Sequence, residues 1–209
     1  LGCRSILYHA TGAGKPTDDL YGHGTHVAGL IGGNGGQNPA YVGVAPEVKF
    51  VNLQVLDKNG VGRDSWVIAA IDRAIALRTT YNIRVMNLSL GRPVFGTYTN
   101  DLLCQAVQRA WEAGIVVVAA AGNHGRYPAT SGYATIGVPG NSPFVITVGA
   151  LNSKSETTRT DDVAASYSSK GPTLIDQVVK PDLVAPGNLL ISLTHATATV
   201  ANTFPTIKV

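Results

Sequence analysis

The chain has 209 residues, 44% of them hydrophobic and only 14% charged, where ordinary domains carry about 25% charge. That length supports one domain with a sizeable core and argues against two. The net charge of +3 comes without any Lys/Arg run, which argues against a nucleic-acid partner. No apolar stretch approaches the roughly 18 residues of a membrane span, and the N-terminus lacks a signal-peptide pattern. The sequence begins at Leu1 and not Met, so a piece of a longer protein is expected. Its two cysteines, Cys3 and Cys104, could pair but form no framework, and redox compartment stays open.

Residues 1–20 read as loop, with Gly12, Gly14 and Pro16 ahead of Asp18 and Asp19. Gly12-Ala-Gly14 hints at a dinucleotide turn, but the reading finds no preceding strand and no third glycine in register. A helix entered near His23 should stop at Gly32–Gly33, followed by a glycine-rich loop to Pro39. Val48–Val55 reads as a strand and Asp57–Gly62 as a turn. A helix capped by Asp64 or Ser65 should bury Val67, Ile68, Ile71, Ala74 and Ile75. Arg84–Leu90 reads as a mostly buried strand. The helix after Asn100 should point Leu103, Ala106, Val107 and Ala110 inward and end at Gly114. Ile115–Ala121 and Phe144–Leu151 are apolar strands. This alternation predicts a parallel sheet covered by helices on both faces, with ligands at the strand C-terminal ends. Leu90–Gly91 and Gly122–Asn123 fall at two such ends.

Several positions could carry chemistry. His23 lies between Gly22 and Gly24, which leave room beside an imidazole that titrates near neutral pH. It could be a capping or core histidine, a proton shuttle, or a zinc ligand with His26. Catalytic zinc usually takes a third protein ligand, and no Glu follows His23 as it does in His-Glu-x-x-His. Asn123, after Ala-Ala-Ala-Gly, is either a turn former bonded to its own backbone or a donor presented to a cleft. Gly60–Gly62 is either a hairpin turn or a slot that lets another backbone approach. Asn87-Leu-Ser is a formal glycosylation triplet, expected to be silent within a buried strand.

Tyr21–Gly29 contains Gly-His-Gly-Thr-His-Val-Ala-Gly, which resembles the histidine motif of the subtilisin-like serine proteases (subtilases). Ala119–Asn123 resembles the family's oxyanion segment, Asn87–Gly91 and Gly60–Gly62 its two substrate-flanking segments, and Thr135–Gly140 the base of its specificity pocket. Ser168–Pro172 and Lys180–Gly187 match two structural landmarks, and the matches span residues 19–187 in family order. The resemblance implies His23 as general base and Asn123 as oxyanion donor. An extended peptide would lie between Gly60, Val61, Gly62 and Ser89, Leu90, Gly91. Ala121 and Gly122 would line the pocket above a floor at Gly137, and Val138–Pro139 could be cis.

The resemblance breaks at both ends. No Asp-Thr/Ser-Gly acid motif precedes His23, and Asp19 matches an acidic position of the histidine loop that is not the triad acid. No Gly-Thr-Ser nucleophile motif occurs, and Ser192 lies in Leu-Leu-Ile-Ser-Leu, which reads as a strand.

The expected fold is therefore α/β, a three-layer α/β/α subtilisin-like arrangement with a mainly parallel central sheet, incomplete at both ends. Residues 1–209 would be a single catalytic domain cut after the acid and before the serine. The expected function is serine-type endopeptidase for the whole protein, with this chain alone inactive. A catalytically inactive peptide-binding module is the alternative, and a nucleotide-binding oxidoreductase a distant third. Peptide or protein in extended form is the expected partner, with neither nucleic acid nor membrane, and the whole protein is expected to be a secreted monomer. No metal or cofactor is expected. The loop Gly33–Pro39 matches a calcium loop of relatives, but it offers only Asn34, Gln37, Asn38 and backbone, too little for a tight site.

Overall fold

A computed structural model describes residues 6–9, 19–36, 38–195 and 197–204, with backbone alone for 6–9. The described residues fall into two compact units, one within Leu1–Ala70 and Ile191–Val209, the other Ile71–Leu190.

In the first unit, strand β1 (Ile6–His9) pairs in parallel with β2 (Val51–Gln54). The loop expected over residues 1–20 thus contains a strand, because Ile6-Leu-Tyr8 suits a pleated ladder once β2 supplies an edge. A strand does precede Gly12-Ala-Gly14, though those glycines lie outside the described residues. Helix α1 runs His23–Gly32 and ends at an extended Gly33, as its glycine pair predicted. The strand expected over Val48–Val55 is shorter, since Val48 N–H is drawn into a turn on the Ala45 carbonyl at 3.0 Å. The strand expected around Ser192 does not form. Leu189 takes a left-handed φ of 55°, which interrupts extension, and the Ser192 hydroxyl donates to the His26 carbonyl at 2.7 Å.

Helix α2 spans Asp64–Tyr81 and buries Val67, Ala70, Ile71 and Ala74, with Ile68 and Ile75 half-buried. The apolar stripe is the one its periodicity predicted, with Ala70 filling the gap between Val67 and Ala74.

The second unit holds a five-stranded sheet. β3 (Val85–Leu88), β4 (Val116–Ala120) and β5 (Ile146–Asn152) pair in parallel. β6 (Val163–Ala164) is antiparallel to β5, and β7 (Leu183–Pro186) parallel to it. The strands therefore form two sheets, where a single one was expected. Helix α3 (Leu102–Glu112) buries Leu103, Cys104, Ala106, Val107 and Ala110 and packs on β4. Its N-cap is Asp101, whose carboxylate accepts from Leu103 and Cys104 N–H at 3.0 and 3.2 Å.

Registry sorts the sheet residues by face. Leu88, Val117, Ala119 and Thr147 share the buried face, while Val85, Asn87, Val116 and Ala120 share the face that is open within this unit. β3 is consequently an edge strand with Val85 61% exposed, not a mostly buried one. Asn87 is exposed too, contrary to expectation, and its amide donates to Ser89 Oγ at 2.9 Å. Val138–Pro139 is cis, as the resemblance implied.

Cys104 is a free, buried thiol, and Cys3 lies outside the described residues. Burial, reinforced by the Asp101 charge, pushes the Cys104 pKa up to about 12.

Candidate active site

The first unit carries the candidate base. His23 opens α1 as an exposed residue, yet the surrounding protein desolvates its ring and draws its pKa below the ordinary value. The Asp19 charge opposes that shift and His26 adds to it. Asp19 has another task. Its Oδ1 accepts from Gly22 N–H at 2.8 Å, and its Oδ2 accepts from Thr25 N–H at 2.7 Å and Thr25 Oγ1 at 2.8 Å. Desolvation pushes the Asp19 pKa up, but these three bonds together outweigh it and leave a net depression. The carboxylate therefore caps α1, and it contributes charge to His23 without a hydrogen bond to it. Sequence reading placed Asp19 in the histidine loop but did not find this cap, because the donor Thr25 lies six residues away instead of the usual two or three.

In Gly60–Gly62 the middle residue is committed. Asp57 N–H donates to the Val61 carbonyl at 2.9 Å, and Val61 N–H donates to Asp57 Oδ1 at 3.0 Å. Gly60 N–H also donates to the Asp57 carbonyl at 3.0 Å, so the Gly60 carbonyl and Gly62 are what the segment keeps for a peptide. Gly60, at φ +74°, also lies so close to Tyr21 that a Cβ would come within 2.6 Å of its ring.

The second unit carries the candidate oxyanion donor. Beyond β4, Ala121 N–H bonds the Val148 carbonyl and Gly137 N–H bonds the Ala121 carbonyl, at 2.9 and 3.0 Å. Gly122 turns the chain at φ +109°, its carbonyl accepting from Ser169 N–H at 2.9 Å. His124 N–H then donates to Ser169 Oγ at 3.1 Å, and Gly125 N–H to the Tyr167 carbonyl at 2.9 Å. Asn123 is thereby clamped on both sides, while its own side chain is exposed and takes no partner among the described residues. It is not the turn former bonded to its own backbone. Ser169, the clamp, was legible only as part of a landmark.

Ser89, Leu90 and Gly91 leave β3 on the same sheet edge, since β3 and β4 are parallel and Leu88 pairs with Ala119. Beyond them Arg92 and Val138 exchange two backbone bonds, at 3.0 and 2.9 Å. A Cβ on Gly137 would come within 3.0 Å of the Arg92 carbonyl oxygen, so a side chain there would require this backbone to give by a few tenths of an ångström. The Arg92 guanidinium is held by Asp101 at 2.6 Å, which ties the segment to the α3 cap.

Asn34 and Asn38 spend their side-chain oxygens on Gly36 and Ala40 N–H at 3.1 and 3.0 Å, and Gln37 lies outside the described residues. Among the described residues no three His, Cys, Asp or Glu side chains come together. No helix among them is long and apolar enough to cross a membrane.

Serine protease AprX of Bacillus subtilis (strain 168) is 41% identical over 189 residues, covering 86% of this chain and 40% of the relative. Subtilisin E of the same organism is 40% identical over 173 residues, covering 83% and 39%. The chain thus spans about 40% of the length of these relatives. Among solved structures, Sphericase superposes with a TM-score of 0.74 at 32% identity, covering 93% of this chain and 63% of that one. A structure described as S41 psychrophilic protease gives 0.73 at 31% identity, covering 91% and 62%. These matches establish the subtilisin-like three-layer α/β/α fold, incomplete in this chain. The Subtilase family profile matches residues 6–207, and the chain belongs to that family.

Proposed function

We propose that this chain is the central part of the catalytic domain of a serine endopeptidase whose carboxylate and serine come from outside residues 1–209. The observation that carries the reading is Asn123, held exposed and unpartnered at the end of β4 beside the parallel exit of β3 at Ser89–Gly91. An amide donor on a backbone anchored at such an edge suits the charge that develops on a peptide carbonyl under attack. His23, kept neutral near pH 7 by its depressed pKa, suits the base that takes the serine proton and returns it to the leaving amine. Gly60, Gly62 and Ser89–Gly91 would pair with an extended peptide backbone, and Ala121, Gly122 and Gly137 would shape the site for the residue before the cut bond. A large apolar residue fits small walls that carry no carboxylate. We further propose a secreted protein that works without a tight calcium site in these residues.

The second reading is the inactive binding module, in which no carboxylate from elsewhere reaches His23. The Asp19 carboxylate is spent on Gly22 and Thr25, so it does not orient His23. Treating the product of the full-length gene with a fluorophosphonate probe separates the two. The enzyme labels at one serine beyond residue 209, and His23→Ala abolishes labelling. Absence of any labelled serine would leave the binding module.

A further inference from the structure

We propose that the surface built from residues 124–133 and Lys170 recognises an acidic segment of a polypeptide, through Arg126, Lys170 and the exposed faces of Tyr127 and Tyr133. The proposal deepens the peptide-cleaving reading and rests on it for calling that polypeptide a substrate.

Cations of the second unit meet two kinds of partner. Arg92, Arg109, Lys154 and Lys180 each meet a carboxylate, of Asp101, Asp72, Asp161 and Asp182 respectively. Arg126 and Lys170, like Arg78 on the Ala113 carbonyl, are held by neutral groups. Arg126 donates from Nε and Nη2 to Ser166 Oγ at 3.0 and 2.6 Å. Lys170 Nζ donates to the Ser131 carbonyl at 2.8 Å and lies 5.2 Å from the centroid of the Tyr133 ring. A neutral acceptor positions a cation without cancelling its charge. The segments supplying these groups, 122–143 and 163–175, contain no Asp or Glu, while His124 lies exposed beside Arg126.

The platform is also built before any ligand arrives. Lys170 N–H donates to the Gly132 carbonyl at 3.2 Å, and Thr135 N–H donates to the Lys170 carbonyl at 3.1 Å. Thr135 Oγ1 closes the loop on the Gly132 carbonyl at 2.6 Å. Gly132 lies so tightly on the Gly125 backbone that no side chain could be added there. On this frame Tyr127 and Tyr133 are 54% and 58% exposed, offering stacking area and hydroxyls at little ordering cost. Fixed, uncompensated cations flanked by exposed tyrosines complement carboxylates carried on a chain. The surface begins one residue after Asn123, so the acidic residues would lie near the bond presented to that amide.

The test is fluorescence anisotropy on the 209-residue chain with a labelled Glu-rich peptide and a matched peptide with Gln at every Glu. The Glu peptide should bind about tenfold more tightly at low salt, and the difference should shrink as salt rises, since exposed pairs are screened. The double variant Arg126→Gln/Lys170→Gln should lose that advantage, while Lys154→Gln keeps it. Arg126→Lys/Lys170→Arg, which preserves the charge, should retain binding and so separates recognition from misfolding. Equal binding of the two peptides, full affinity in the double Gln variant, or equally tight binding of a single-stranded oligonucleotide would overturn the proposal. Fluorophosphonate labelling is independent of this outcome: a labelled serine with no charge preference leaves the protease reading intact and removes this one.

Discussion

One oxygen of Asp19 serves Thr25 twice: Oδ2 accepts both the backbone N–H and the hydroxyl, at 2.7 and 2.8 Å. Together with Oδ1 on Gly22 this fixes the entry into α1, and so the start of the helix that opens with His23. Asp19→Ala should destabilise the chain by about 1 kcal/mol, the usual cost of a lost helix cap, and Asp19→Asn by less. The folded pKa of Asp19 is depressed, so its contribution is complete above the unfolded value of about 4 and fades as pH falls through the folded value. Urea denaturation at neutral and acid pH checks this. An Asp19→Asn gap that does not narrow on acidification would show that the charge is not what stabilises the cap.

His23 shifts in the same direction as Asp19, but for a different reason. Its folded pKa is lowered first by desolvation, with Asp19 opposing. The neutral ring is therefore favoured by folding, and the stability it adds is present above about pH 6.5 and lost as pH falls toward the folded value. An NMR titration of the His23 ring should find a midpoint below that of a denatured control. Asp19→Asn should lower the midpoint further, by removing the opposing charge. A midpoint above the control would mean that the Asp19 attraction outweighs burial.

Much of this was legible in the sequence because it rests on local rules. Helix α3 followed from its apolar spacing, and the end of α1 from Gly32–Gly33. The motifs carried the family outright. What failed depended on partners distant in sequence. β1 is a strand because β2 lies beside it, and β3 is exposed because nothing in its unit covers the face of Val85. The site shows the same divide. His23, Asn123 and the turn at Asp57–Gly62 stand out by pattern, whereas the Ser169 clamp lies 46 residues beyond Asn123.

Asp101 joins two functions that a single substitution can separate. It caps α3 through Oδ1 and holds Arg92 through Oδ2, with its side chain only 7% exposed. Asp101→Ala should cost about 2–4 kcal/mol, combining a lost cap with a nearly buried pair broken on one side. Asp101→Asn retains an oxygen for the cap and should recover part of that. A double-mutant cycle with Arg92→Ala measures the pair, and a coupling energy of zero would show that Arg92 draws its order from elsewhere.

Gly122→Ala tests whether the geometry at Asn123 is imposed by the clamp. A Cβ at φ +109° is strained in itself, and it would also lie 2.8 Å from Ser169 Oγ. Together these effects should cost about 1–3 kcal/mol. The hydroxyl would have to swing away, releasing His124 N–H, its hydrogen-bond donor. Adding Ser169→Ala removes the contact but not the backbone strain, so the double variant should be less destabilised than the sum of the singles. In the full-length enzyme, a displaced Asn123 amide should lower kcat with little change in KM, because an oxyanion donor acts on the transition state and not on bound substrate. Chemical denaturation and steady-state kinetics on a chromogenic peptide supply the two readouts. A stable Gly122→Ala with unchanged kcat would show that the turn at Gly122 does not hold Asn123 in place.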